Sequence, residues 1–208
     1  MKIVCISDTH GKHNQIAVPE GDLLIHAGDL SSRGRPKEIR RFNNWLATLP
    51  HRHKVVIAGN HDFLFEDEPH QAEALLTNAI YLNDSGVTIE GINIWGSPIT
   101  PWFFDWAFNR ARGVDIRKHW DLIPENTDIL VTHGPPKGVL DQTAKGEEVG
   151  CEELTEVIQD IRPKYHIFGH IHEARGRVEV NGTHYINASM LNLQYEAVHQ
   201  AIVIDYMR

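Results

Sequence analysis

Five short polar clusters in this chain carry residues that could do chemistry. They are Asp8 and His10 in "DTH", Asp29 in "GD", Asn60, His61 and Asp62 in "GNHD", His133 in "THG", and His170 and His172 in "GHIH". Carboxylate, imidazole and amide oxygen form a hard-to-borderline donor set with no thiolate, which suits Mn, Fe, Zn or Mg and excludes a soft-metal site. Taken singly, an HxH pair or a GD step is an ordinary edge or turn feature; five together point to one shared site. If Asp29 bridges, the seven residues Asp8, His10, Asp29, Asn60, His133, His170 and His172 supply eight bonds, about four to each of two ions. Residues two apart on a strand have Cβ atoms roughly 6.5–7 Å apart, and paired catalytic ions lie about 3.5–4 Å apart. On that spacing Asp8 and His10 converge on one ion, while His170 and His172 serve one each. Two divalent ions, two carboxylates and a bridging hydroxide leave a local charge of about +1, which attracts a phosphate. His61, next to Asp62, is the candidate general acid, with an eighth ligand or a plain loop histidine as its alternatives.

These clusters need elements that bring them together. Short apolar runs bounded by Gly, Pro, Asn or Asp ("KIVCIS", "DLLIHAG", "HKVVIAG", "GINIWGS", "TDILVTHG", "YHIFGH") read as buried strands, and the polar clusters fall at their ends. Loops beyond strand ends are where open α/β sheets build sites. "PKEIRRFNNWLATL" puts Ile39, Phe42, Leu46 and Leu49 on one helical face, with Pro36 in the first turn. "CEELTEVIQDI" does the same with Leu154, Val157, Ile158 and Ile161, and stops before Pro163. Asn181-Gly182 within alternating residues predicts a hairpin, and "QAIVIDY" a last strand. Mixed helices and strands ending in a hairpin predict sheets covered by helices, within one domain over residues 1–208.

Composition excludes several classes. The formal net charge is −8, so the chain lacks the basic face that general nucleic-acid binding requires. No window approaches a membrane span. A strand follows Met1 directly with no leader pattern, and two cysteines make no disulfide framework, so the expected compartment is the cytoplasm.

In order and spacing the five blocks resemble those of the calcineurin-like dinuclear metallophosphoesterases. "GSPITPWFFDWAFNRARG", "GCEEL", "FGHIHEARG" and "YINAS" further resemble the metallophosphoesterase-domain-containing (brain 239) subgroup and its bacterial relatives. The resemblance implies a four-layer αββα sandwich, α+β in class, with phosphodiesterase chemistry on two divalent ions, manganese first. It implies that Asp8, His10, Asp29 and His172 hold one ion and Asp29, Asn60, His133 and His170 the other. His61 would protonate the leaving group, and Asp62 would orient it. Some subgroup members lose a histidine from the "GHIH" block, whereas this chain keeps both.

The substrate expected is a small phosphodiester, nucleotides and cyclic nucleotides among them. The alternatives are a phosphomonoesterase or protein phosphatase, or a nucleotide-binding regulator with little turnover. "TPWFFDWAFNR" is dense in aromatics, so it either packs onto the sandwich or walls the crevice, where Trp102 or Trp106 could stack a base. His13 and Arg33 are further candidates for substrate contact.

Overall fold

The computed structural model describes residues 1–207. Its strands are β1 (Lys2–Ile6), β2 (Leu23–Ala27), β3 (His53–Ile57), β4 (Ile80–Tyr81), β5 (Ser85–Ile89), β6 (Ile92–Ser97), β7 (Thr100–Pro101), β8 (Asn109–Arg110), β9 (Ile129–Thr132), β10 (Tyr165–Phe168), β11 (Gly176–Val180), β12 (Thr183–Asn187) and β13 (Ile202–Asp205). Five helices join them: α1 (Pro36–Thr48), α2 (Leu64–Asp67), α3 (Pro69–Leu75), α4 (Val114–Trp120) and α5 (Glu152–Ile161). The first sheet runs β13-β1-β2-β3-β4, parallel except for the β13 edge, and the second β11-β12-β10-β9-β6-β5, parallel except at both edges; β7 and β8 form a small separate ribbon.

Side-chain alternation makes this a sandwich. Residues of one parity along the strands, such as Ile3, Cys5, Ile25 and Val55, meet Ile94, Ile129, Val131 and Ile167 of the other sheet in a core between the two. Residues of the opposite parity face the helices. Val4, Ile6, Leu24 and Val56 share a cluster with Ile39, Phe42 and Leu46 of α1, and Leu130 and Phe168 with Trp120, Leu154 and Ile158 of α4 and α5. In central strands such as β2, β9 and β10 both faces are buried, so they read as unbroken apolar runs, and each fully buried large aliphatic contributes about 1.5–3 kcal/mol.

Local signals act where expected. Pro36 opens α1, and Glu38 accepts the Arg35 backbone N–H at 3.0 Å. α5 ends on Arg162 in the left-handed region (φ 52°), just before Pro163. Asn181 and Gly182 both have positive φ, as a tight hairpin turn demands, and join β11 to β12.

One expectation is corrected. The "GHIH" histidines do not lie two apart on a strand: β10 stops at Phe168, His170 has φ 70°, and His172 opens a 3-10 turn over His172–Ala174. The cause is a change of hydrogen-bond partner. The His170 N–H leaves the sheet for the Asp8 carboxylate, at 3.0 and 3.1 Å. Asp8 and His10 are likewise left-handed, at φ 53° and 43°, so strand spacing describes neither pair.

Candidate metal centre

Asp8 and His10 leave the end of β1, Asp29 that of β2, Asn60 that of β3, His133 that of β9, and His170 and His172 that of β10. Parallel neighbours place these ends side by side, so residues from distant parts of the chain converge. His10 Nε2 lies 3.3 Å from His172 Nε2 and 3.6 Å from Asp29 Oδ2. His172 Nε2 lies 3.5 Å from Asp8 Oδ1, and His133 Nε2 lies 3.4 Å from Asp29 Oδ2 and 2.8 Å from Asn60 Oδ1. Three tight groups share members: Asp8, His10 and His172; Asp8, Asp29 and His133; and His10, Asp29 and His61. His170 stands beside His133, ring centroids 5.0 Å apart, but outside all three groups.

The surroundings prepare these atoms for cations. Nδ1–H of His133 donates to the Ala27 carbonyl at 3.0 Å and that of His172 to the Asn192 carbonyl at 3.1 Å, which turns each Nε2 inward. Burial opposes charge on Asp8, yet its hydrogen bond to His172 and the nearby imidazoles hold it well below the usual carboxylate range. Asp29 is lowered likewise, with His133 the chief influence opposing burial. Burial alone would lower His133 and His172; the carboxylates beside them raise both to about 9. Burial prevails at His10 and His170, lowering them to about 4 and about 3. Two carboxylates and inward-facing imidazole nitrogens packed this closely fit divalent cations, which would bind in place of protons on those nitrogens.

Close backbone approach is essential here. A Cβ on Gly169 would collide with the Asp8 carboxylate and the Ser7 hydroxyl, and one on Gly59 with the Asp29 carboxylate.

His61 sits at the rim of the cluster. Its Nδ1–H donates to the Ser32 carbonyl at 3.1 Å, and its Nε2 lies 4.0 Å from Asp29 Oδ2. Trp106 covers the ring, centroids 4.3 Å apart, and Arg33 lies over Trp106 at 4.9 Å. Asp62 does not touch the imidazole, which corrects the expectation that it orients His61 directly. Its oxygens accept from Leu30 N, Ser31 N, Ser31 Oγ and Gly59 N at 2.6–3.1 Å. It fixes the turn that carries the Ser32 carbonyl, and so acts on His61 at one remove.

Beside the cluster opens a crevice of about 500 Å³, walled by Trp102, Phe103, Trp106 and Tyr195. The aromatic segment divides between packing and lining. Ala107 and Phe108 are buried, whereas Trp102 is 64% exposed on the crevice wall. His13 is placed elsewhere: it is buried against Phe42 and Trp45, outside the crevice, because the 3-10 turn it opens packs under α1. Arg33 is not among the crevice-lining residues but lies over Trp106, which is. Sequence reasoning missed Ser189, whose hydroxyl donates to Asp8 Oδ2 at 2.7 Å, and Asn192 and Tyr195. The "YINAS" block after a strand marked the neighbourhood of Ser189; nothing in "LNLQY" marks the other two.

Sheet sandwich and donor set together define a metal-dependent phosphoesterase. Residues 1–174 match the family model described as calcineurin-like phosphoesterase. The chain is 45% identical over 229 residues to metallophosphoesterase domain-containing protein 1 of Homo sapiens, covering 98% of this chain and 70% of that protein. It is 29% identical over 161 residues to a probable cyclic nucleotide phosphodiesterase of Synechococcus, covering 74% of this chain and 58% of that one. The crystal structure of TT1561 of Thermus thermophilus shares the fold, with a TM-score of 0.61 at 13% identity and coverage of 89% and 88%. The chain belongs to the calcineurin-like phosphoesterase family, which uses a dinuclear metal centre. Among the described residues no helix is long and apolar enough to cross a membrane.

Proposed function

We propose that the protein hydrolyses small phosphodiesters, with cyclic nucleotides as the leading substrate class. The position of His61 carries this reading. Its Nδ1–H is committed to Ser32, so in the imidazolium form Nε2 holds a proton at the edge of the ligand cluster, where a leaving oxygen would need it. Two divalent ions, manganese first, held by Asp8, His10, Asp29 and His172 and by Asp29, Asn60, His133 and His170, would supply an activated water and neutralise charge on the phosphoryl oxygens. Trp106 keeps the His61 ring from rotating away. A diester is favoured because the crevice continues past the cluster between Trp102, Phe103 and Tyr195, giving a second ester substituent somewhere to go. Trp106 is occupied by His61, so Trp102 is the ring that would stack a base. The probable cyclic nucleotide phosphodiesterase among the relatives supports the same class. Two unpaired, buried cysteines suit a reducing compartment such as the cytoplasm.

The test is hydrolysis by metal-reconstituted protein of bis(p-nitrophenyl) phosphate, p-nitrophenyl phosphate and a cyclic-nucleotide panel. The expected result is metal-dependent diester hydrolysis exceeding monoester hydrolysis. His61→Ala should lower kcat by about 10²–10⁴-fold, most for poor leaving groups. A monoester preference, or no turnover with Mn, Fe, Zn or Mg, would overturn the reading.

A further inference from the structure

We propose that Tyr195 is a substrate-binding residue that donates a hydrogen bond from its phenol to a phosphoryl oxygen of the ester held at the metal centre. Tyr195 lines the crevice, its ring edge-on to two candidate ligands, with centroids 4.9 Å from His10 and 5.5 Å from His172. Among the described residues no protein group hydrogen-bonds its hydroxyl, which is therefore available to a ligand.

The backbone is held to put it there. Tyr195 has φ 58°, a left-handed conformation that is rare for a bulky side chain and persists only where its surroundings enforce it. They do so densely. The Tyr195 N–H donates to the Asn192 carbonyl at 2.9 Å, and Asn192 Oδ1 accepts from Gln194 N at 3.0 Å and Glu196 N at 2.9 Å. Lys12 Nζ donates to the Tyr195 carbonyl. The Asn192 carbonyl also accepts Nδ1–H of His172, so one turn both aims a ligand and sets the phenol beside it. This turn lies outside residues 1–174, the part of the chain that the family model matches. An unionised phenol, as tyrosine is at neutral pH, donates to an anionic oxygen without adding charge to the site.

This inference rests on the phosphoester reading above, and a binding measurement separates the two. Tyr195→Phe, which keeps the ring, should still bind two Mn²⁺ per chain. It should bind inorganic phosphate about tenfold more weakly by calorimetry, and lose about tenfold in kcat/KM on bis(p-nitrophenyl) phosphate. Weakened phosphate binding in a protein that hydrolyses nothing would support Tyr195 while the phosphodiesterase reading fell. Turnover and phosphate affinity both within twofold of wild type would overturn the proposal and leave that reading standing. Loss of Mn²⁺ loading in Tyr195→Phe would reduce the ring to packing, and would also overturn it.

Discussion

In the GNHD turn three consecutive side chains face three directions: Asn60 toward His133, His61 toward the crevice, Asp62 back into the protein. Burial and the charge of Asp29 push Asp62 up to about 7, against the pull of its donors. All four of its partners donate, three of them backbone N–H groups, so the geometry receives the carboxylate form. Replacing it orphans those donors. Asp62→Ala should lower unfolding stability by about 2–4 kcal/mol in denaturant titrations, and should lower kcat by releasing the Ser32 carbonyl that steadies His61. Wild-type stability in that variant would show that the turn holds without it. The residue types of the site were legible because metal-capable groups fall at five strand ends. The direction of Asp62 was not, because adjacency in sequence says nothing about which way a side chain leaves a turn.

Among the elements, the strands were legible from apolar runs and the glycines that stop them, and α1 and α5 from their one-sided faces. The conformations just past the strand ends were hidden. Asp8, His10, Asp29 and His170 are all left-handed, and what holds them is a set of long-range bonds, such as His170 N to Asp8 and His61 N to Asp29 Oδ1 at 2.8 Å. The same blindness explains Tyr195, whose turn has ordinary composition. Glycines next to these residues let the ends approach one another. Gly169→Ala should bind fewer than two Mn²⁺ per chain by elemental analysis and be destabilised by about 1–3 kcal/mol, since its Cβ meets Asp8 and Ser7. Full loading in that variant would mean that Asp8 can shift without consequence.

For the whole molecule, part of the acid sensitivity follows from histidines the site does not use. His166 is fully buried within β10. Its Nε2–H donates to Thr132 Oγ1 at 2.7 Å, that hydroxyl donates on to the Gly134 carbonyl, and Nδ1 has no partner. Burial lowers His166 to about 3, and burial, partly offset by Asp8, lowers His26 to about 3. Above about pH 6.5 both are neutral whether folded or not; below it the unfolded chain takes up protons that the folded one refuses. Stability should therefore fall as pH drops from about 6.5 toward about 3, and His166→Phe should make the fall shallower in denaturant midpoints taken across that window. An unchanged slope would place the acid sensitivity elsewhere.

The pairing of β1 with both β2 and β13 has a consequence in time. His10 and His172 are 162 residues apart and Asp8 and Ser189 are 181 apart, so the first ligands made leave the ribosome long before their partners exist. Until β9 and β10 are made, the emerging chain carries Asp8, His10, Asp29 and Asn60 but not His133, His170 or His172. Assembly of the candidate centre therefore waits for both halves of the chain, and a half-made polypeptide carries only part of the donor set.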